Sequence, residues 1–357
     1  MAKTVSPLLE RLRKVSALDY TETMTDSKIF DVDHVPTQIP ILNVALSGST
    51  ERGLSNGSLV IAGPSKHFKS LTGLVLVDSY LKKYPEGVCL FYDSEFGAPK
   101  KYFKSIGIDT ERVLHCPVKN IEELKFDLMK KLQDIKRGER IVIFIDSLGN
   151  IASKKEVEDA INEKSVADMT RAKALKSLFR MITPELVLKD IPLVAISHTY
   201  SDQGMYPKEI VSGGRGVTYG ANAVWIVGRQ QEKDDTGIKG YNFVYNVEKS
   251  RFVKEKSKLT LTVTWDGGIN KFSGLLDIAM EGGYVIKPSA GWYVGCDPKT
   301  KKDLTKKVRE DETSTDAFWQ TIFDKTDFKD YVTKRFSVGE TQMLTSASEA
   351  GPEDESD

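Results

Sequence analysis

The sequence predicts an α/β protein built on a mostly parallel, twisted sheet flanked by helices. Three observations lead there. Between about residues 36 and 270, short apolar runs alternate with stretches of helical periodicity. The runs are apolar throughout, as strands covered on both faces must be. Several of them end in a carboxylate or hydroxyl, at the strand ends where such sheets gather their ligands.

Taken in order, MAKTVSPLLERLRK reads as a short amphipathic helix and KIF, at 28–30, as a short strand, so that 1–35 forms a polar N-terminal segment. SLVIAG is a buried strand and LTGLVLVDSYLKKY the helix after it. VCLFYDSE is followed by PKKYFKSIG, and IEELKFDLMKKLQDIKRG precedes the strand RIVIFIDS. DIPLVAISH and NAVWIVGR complete the buried set. YNFVYNVEKSR and LTLTVTWD alternate in polarity, which suits antiparallel strands at the sheet edge. Residues 275–345 form a small mixed C-terminal region. Residues 346–357 are acidic, lack large apolar groups and are expected to be a disordered tail.

Composition narrows the function. A 357-residue chain that is 40% hydrophobic and 29% charged is a globular protein with one large domain and additions, or two modest domains. IVIFI and its like are too short to cross a bilayer, and no basic-then-apolar leader opens the chain, so no membrane partner is expected. Three widely spaced cysteines, Cys89, Cys116 and Cys296, fit a reducing cytoplasm without a disulfide framework. Four scattered histidines argue against a zinc site. Equal numbers of basic and acidic residues lack the positive excess by which nucleic-acid binders usually announce themselves.

The chemistry centres on GPSKHFKS: Gly63, Pro64, Ser65, Lys66, His67, Phe68, Lys69 and Ser70. It follows a strand, opens a helix and matches G-x-x-x-x-G-K-[ST] except at Phe68. In a P-loop the backbone amides and helix N-terminus face phosphate, the lysine reaches the β- and γ-phosphates, and the hydroxyl ligates Mg²⁺. Phenylalanine is costly at positive φ and tolerable at negative φ with its ring turned away. A loop with a lone lysine is the plain alternative. In RIVIFIDSLGN, Asp146 ends a buried strand as a Walker B aspartate does, acting on Mg²⁺ directly or through water. VCLFYDSEFG brings Asp93 and Glu95 to another strand end; Glu95 is a candidate general base or else a surface acid. His198 ends a fourth strand, either as a sensor of the γ-phosphate or as a structural residue. The glycine-rich stretch DQGMYPKEIVSGGRGVTYGAN carries Lys208, Arg215, Tyr206 and Tyr219, a mix that suits single-stranded nucleic acid. The lysine-rich segment after Asp146 is either a second such contact or a solvated helix face.

Together IPILNVALSG, GPSKHFKS, YDSEFG, FIDSLGNIASKKE, DMTRAKALKSLFR, the strand-end histidine and NVEKSR with VKEKSK resemble the RecA family, in particular its UvsX-type recombinases from T4-like bacteriophages. The resemblance runs from about Pro40 to Tyr293. UvsX-type members are similar to this chain in carrying phenylalanine before the P-loop lysine, so it implies a working ATP site.

What the resemblance implies is a RecA-like P-loop ATPase core over 36–274, an N-terminal oligomerisation segment and linker strand over 1–35, and the small C-terminal region. Gly63 to Ser70 would hold ATP, Ser70 and Asp146 the Mg²⁺, and Tyr102 the adenine. Glu95, Lys69 and His198 would be catalytic. Lys249 and Arg251 would reach the neighbouring subunit's ATP in a helical filament. DNA would meet loops at about 151–165 and 200–220, where Lys154, Lys155, Arg171, Lys208, Gly213, Gly214 and Arg215 are the candidate contacts. The implied activity is ATP-dependent pairing and strand exchange between single-stranded and double-stranded DNA. Implied partners are further copies of the chain, a single-stranded-DNA-binding protein and a recombination mediator; the implied place is the cytoplasm, that of the host for a phage protein. Two other classes share the fold. A hexameric helicase would be expected to carry a larger N-terminal domain than 35 residues, and a non-hydrolysing accessory scaffold would not need Lys69, Glu95 and Asp146 together.

Overall fold

In the computed structural model, residues 6–162, 170–202, 208–234 and 237–339 are described. A nine-stranded sheet organises the chain. Its strands are β1 (Gly57–Ala62), β2 (Val88–Asp93), β3 (Val113–Pro117), β4 (Ile141–Asp146) and β5 (Pro192–Ser197), then, beyond the small hairpin β6 (Thr199–Ser201) and β7 (Glu209–Val211), β8 (Ala223–Asp234), β9 (Gly237–Lys249), β10 (Lys258–Thr264) and β11 (Gly268–Ile269). The order across the sheet is β11-β10-β9-β8-β1-β5-β4-β2-β3. From β8 to β3 every pairing is parallel, and β8 to β11 pair antiparallel. The alternating runs of the sequence therefore do form the antiparallel edge, and the continuously apolar runs the parallel interior.

Helices cover both faces. α1 (Pro7–Lys14) stands apart. α2 (Pro40–Ser47), α3 (Lys69–Lys83) and α4 (Lys100–Ile106) belong to one face, and α5 (Ile121–Asp134) and α7 (Thr170–Leu188) to the other, with α6 (Lys154–Ile161) and α8 (Arg215–Gly220) near the strand ends. Two cores result. One gathers Leu74, Leu76, Val142, Phe144, Trp225 and Tyr245; the other Leu124, Leu128, Ile143, Ile145, Leu178 and Phe179. Phe144 and Ile145, adjacent on β4, are almost fully buried on opposite faces, as a two-residue period requires. A buried bond of 2.6 Å between the Thr72 and Tyr245 hydroxyls ties α3 to β9.

The rest of the chain forms α9 (Leu275–Glu281), a three-stranded sheet of β12 (Val285–Ser289), β13 (Trp292–Gly295) and β14 (Val308–Arg309), and the helices α10 (Glu310–Thr313), α11 (Asp316–Lys325) and α12 (Phe328–Phe336). Its aromatic residues Trp319, Phe328 and Tyr284 continue the first core without a break. The acidic tail lies outside the described residues.

The N-terminal segment departs from expectation at one place. Pro7–Lys14 is helical, buries none of its residues and leaves Leu8, Leu9 and Leu12 about half exposed. Lys28–Phe30, expected as a strand, is a single 3₁₀ turn. Its Lys28 carbonyl accepts from the Asp31 amide and from the Arg137 guanidinium, bonds that replace those a strand neighbour would supply. No helix among the described residues is long and apolar enough to cross a membrane.

Gly73 shows how closely α3 sits on the sheet. A Cβ there would lie 2.4 Å from Cε2 of Phe144. Alanine normally gains about 1 kcal/mol over glycine inside a helix, but overpacking a core costs roughly 1–3 kcal/mol. Gly73→Ala is therefore expected to destabilise the protein, read as a lower urea midpoint; a raised midpoint would contradict this close contact.

Candidate functional site

Parallel pairing brings the polar strand ends level. Asp93 of β2 stands opposite Asp146 of β4, and Ala62 of β1, which leads into Gly63, opposite Ser197 of β5. Beyond these ends lies a cavity of about 310 Å³, with Lys66, Phe68, Lys69, Glu95, Tyr102 and His198 among its walls.

The loop from Gly63 to Ser70 runs from β1 into α3, so the first amides of a 15-residue helix open onto the cavity. Lys69 is 6% exposed, and its ammonium donates to the Pro64 carbonyl at 2.7 Å. Burial lowers its pKa while Glu95 and Asp146 oppose that shift. Phe68 takes the costly alternative and not the negative φ at which phenylalanine is tolerable: it sits at φ 59° and ψ 14°. A left-handed backbone costs an ordinary residue about 1–2 kcal/mol. Here the ring stacks on Phe243, with centroids 5.1 Å apart, in a pairing worth roughly 0.5–1.5 kcal/mol beyond its buried area. The contact continues from Phe243 to Tyr241 and from Tyr241 to Trp265, and Arg229 lies over Tyr241 while donating to the Lys66 carbonyl at 3.2 Å.

Asp146 is 4% exposed, and its Oδ1 has no hydrogen-bond partner. Burial, helped by the charges of Glu95 and Asp93, pushes its pKa up to about 6 against the opposing effects of Ser70 and Lys69. A buried carboxylate oxygen without a donor, beside a hydroxyl at a helix start, fits a hard divalent cation. Glu95 differs. Its Oε1 accepts from Ser147 Oγ, from His198 Nε2 at 2.7 Å and from Asn150 Nδ2 at 3.1 Å. The His198 bond is the largest of the effects that hold this carboxyl below its ordinary range. Asp93 has its own partners, the amides of Glu95 and Phe96 and the ring of His115. The site thus holds one carboxylate open to a cation, one in a hydrogen-bond network, and a buried ammonium between them.

Comparison with known proteins bears on what such a site serves. The family model described as the RecA N-terminal domain matches residues 4–270. The chain belongs to the RecA family. A second family model, described as the C-terminal domain of the bacteriophage T4 recombination and repair protein, matches residues 272–332. The chain is 49% identical to the recombination and repair protein of Enterobacteria phage T4 over 340 residues, 94% of this chain and 87% of that one. It is 26% identical to the RecA protein of Kineococcus radiotolerans over 73% of both chains, and 25% identical to that of Streptomyces rimosus over 73% of this chain and 68% of the relative.

In this RecA-family chain Lys69, Ser70, Tyr102, Glu95 and His198 line the cavity, and Asp146 is buried beside Ser70 and Lys69. Lys249 and Arg251 do not join them. Lys249 pairs with Val224 near the start of β8, toward the opposite end of the sheet from the P-loop, and its ammonium donates to the carbonyls of Thr218, Tyr219 and Ala221 at the end of α8. Arg251 is exposed two residues further on. Lys154 and Lys155 lie exposed on α6, each facing an acid one turn along, Glu158 and Asp159. Lys208 and Arg215 are exposed, and Gly213 and Gly214 take φ of 95° and 77°, which ordinary side chains resist. Tyr206 and part of each proposed DNA loop lie outside the described residues.

Arg171 is a correction. Expected as a DNA contact, its half-buried guanidinium donates to the carbonyls of Leu148, Gly149 and Ile151 and to Ser212 Oγ. A cation whose donors are engaged on the protein clamps two loop stems instead of offering itself to phosphate. Three site residues escaped the sequence: Ser147, Asn150 and Phe243. Ser147 adjoins Asp146 and was open to suspicion on that ground; the other two meet their partners across 55 and 175 residues of chain.

Two outcomes follow from the geometry. Phe68→Ala keeps the left-handed backbone and loses the ring stack, whereas Phe68→Gly removes the backbone cost. The glycine variant is expected to be the more stable of the two by about 1 kcal/mol, a reversal of the usual helix order, measured by urea unfolding. For Asp146, a native pKa of about 6 against 3.8 means that the folded chain holds the proton more tightly than the unfolded one. That costs nothing below the lower value, grows as pH rises between the two, and is complete above the higher one. Asp146→Asn should therefore stabilise the nucleotide- and metal-free protein by up to roughly 3 kcal/mol at about pH 7.5, and by about half as much near pH 5. A gain independent of pH would mean that the carboxylate carries no such cost.

Proposed function

We propose that the chain is an ATP-dependent DNA recombinase that polymerises on single-stranded DNA, pairs it with homologous duplex and exchanges strands. The observation that carries this reading is a cavity walled by the P-loop and the networked Glu95, with the open Asp146 oxygen buried beside Ser70 and Lys69, in a RecA-family chain nearly half identical to a recombination and repair protein.

In this reading the amides of 63–70 and the Lys69 ammonium bind the triphosphate, and Tyr102 lies against the base. Ser70 and Asp146 hold Mg²⁺, which supplies positive charge against the phosphate oxygens. Glu95 orients the attacking water and takes its proton as the bond to the γ-phosphorus forms and the bond to the ADP oxygen breaks. His198, bonded to Glu95 and at the root of the 199–211 hairpin, passes the presence of the γ-phosphate to the loop that meets DNA. Lys249 and Arg251 lie away from their own P-loop; the exposed Arg251 is the cation proposed to serve the site of the next subunit, and Lys249 would do so only by leaving the three carbonyls of α8. Neutral net charge is compatible with DNA binding, because a filament lines its axis with the cations of many subunits. A single-stranded-DNA-binding protein and a loading mediator are proposed partners, and a cytoplasm holding both ATP and DNA is the proposed setting.

The test uses turnover of ATP with and without single-stranded DNA. Lys69→Ala and Glu95→Gln are each expected to lose most of it, roughly a hundredfold or more for the base. Arg251→Ala is expected to lose DNA-stimulated turnover too, and it is a cleaner variant than one at Lys249, which also caps α8. Mixed filaments of Arg251→Ala and Lys69→Ala subunits should regain part of the activity, since some junctions then join an intact loop to an intact cation. No recovery in filaments shown to be mixed would remove the assignment across the interface.

A further inference from the structure

A carboxylate serves as a base only where it is free to turn an oxygen toward the proton. Oε1 of Glu95 is crowded: Ser147, His198 and Asn150 all donate to it, three donors for an oxygen with two lone pairs. Ser147 follows the strand-end aspartate, and His198 follows the last residue of β5. Asn150 belongs to neither strand. It lies exposed on the turn between β4 and α6, and that turn leads into the lysine-bearing segment proposed to meet DNA.

The turn is held on both sides of Asn150. Arg171 donates to the Leu148 and Gly149 carbonyls before it, at 2.9 and 2.6 Å, and to the Ile151 carbonyl after it at 2.9 Å. The Leu148 amide donates to Ile196 of β5, and the Ala152 carbonyl accepts from Ile121. Gly149 lies so near His198 that a Cβ would fall 2.3 Å from the ring. A short side chain on a clamped turn points where the turn points it. Its amide therefore meets Glu95 because of where the backbone stands, and a displacement of the backbone would withdraw it.

We infer that Asn150 is a positioning residue that restrains Glu95, and that it makes the base answer to the state of the segment entering α6. The inference rests on the reading of Glu95 as the base. Without DNA, the Asn150 amide helps to keep Oε1 engaged. When the 151–162 segment takes up single-stranded DNA, the turn shifts, the amide withdraws and the Glu95 carboxyl, with one restraint fewer, is freer to turn toward the attacking water. Asn150 itself exchanges no proton and forms no bond to the reacting atoms.

The experiment measures kcat and KM for ATP in the full chain, without DNA and with a saturating mixed-sequence single-stranded oligonucleotide. Asn150→Ala is expected to raise the DNA-free kcat by about three- to tenfold, the scale of one ordinary net hydrogen bond. It should leave KM and the DNA-saturated kcat within about twofold, so that the stimulation ratio shrinks. Asn150→Asp, which donates nothing and repels Glu95, should raise the DNA-free rate at least as much. A merely structural role would lower both kcat values together or raise KM, and either result overturns the inference, as does an unchanged stimulation ratio. Glu95→Gln, alone and combined with Asn150→Ala, separates the two readings. If the single variant keeps parental turnover, the base assignment fails; if it is inactive while Asn150→Ala keeps the parental ratio, only the inference about Asn150 fails.

Discussion

Parallel strand pairing is the constraint on which the site depends. Because β1, β5, β4 and β2 run the same way in register, all their C-terminal ends emerge on one edge, and their last residues stand side by side. Asp93 and Asp146 thereby share a neighbourhood with almost no water, beside the Glu95 that follows. An acid so placed resists ionisation, as Asp146 does, unless a positive group arrives. The fold thus gathers negative charge at this spot, and Lys69, itself buried there, offsets only part of it.

The two chemically similar acids are kept apart in character by their donors. Glu95 has three and is held in its charged form; Asp146 has an oxygen with none and leans toward the neutral one. Both sit at strand ends in the same sheet, so strand position alone does not distinguish them. The difference arises from Ser147, Asn150 and His198, which belong to turns. Rigid strands place the acids, and the turns assign their properties.

Much of this was legible in the sequence because parallel strands buried on both faces leave continuous apolar runs, and the residue that ends such a run ends the strand. Asp146 after RIVIFI and His198 after PLVAIS are found by that reasoning alone. What escaped has a common physical cause. The φ of Phe68 depends on Phe243, the anchoring of Arg171 on carbonyls of a separate loop, and the turn at Lys28 on Arg137. Each conformation is decided by a partner distant in the chain, and such contacts print no period on the residues nearby. Arg171 illustrates the hazard: beside two candidate DNA loops its charge reads as a ligand contact, until its hydrogen bonds are counted.

Phe68 has a consequence for how the loop responds to fluctuation. A glycine would hold the left-handed backbone at no cost, so that a loop built on it keeps its shape even while the surroundings breathe. Here the same shape persists only while the ring of the residue capping α3 stays stacked on β9. The loop and the antiparallel edge of the sheet are therefore joined in one cooperative unit: partial opening of β9 releases Phe68, and the P-loop loses its form in the same event. Amide exchange in the loop would then share the opening free energy of a strand 175 residues away, where a glycine-built loop would exchange on its own terms.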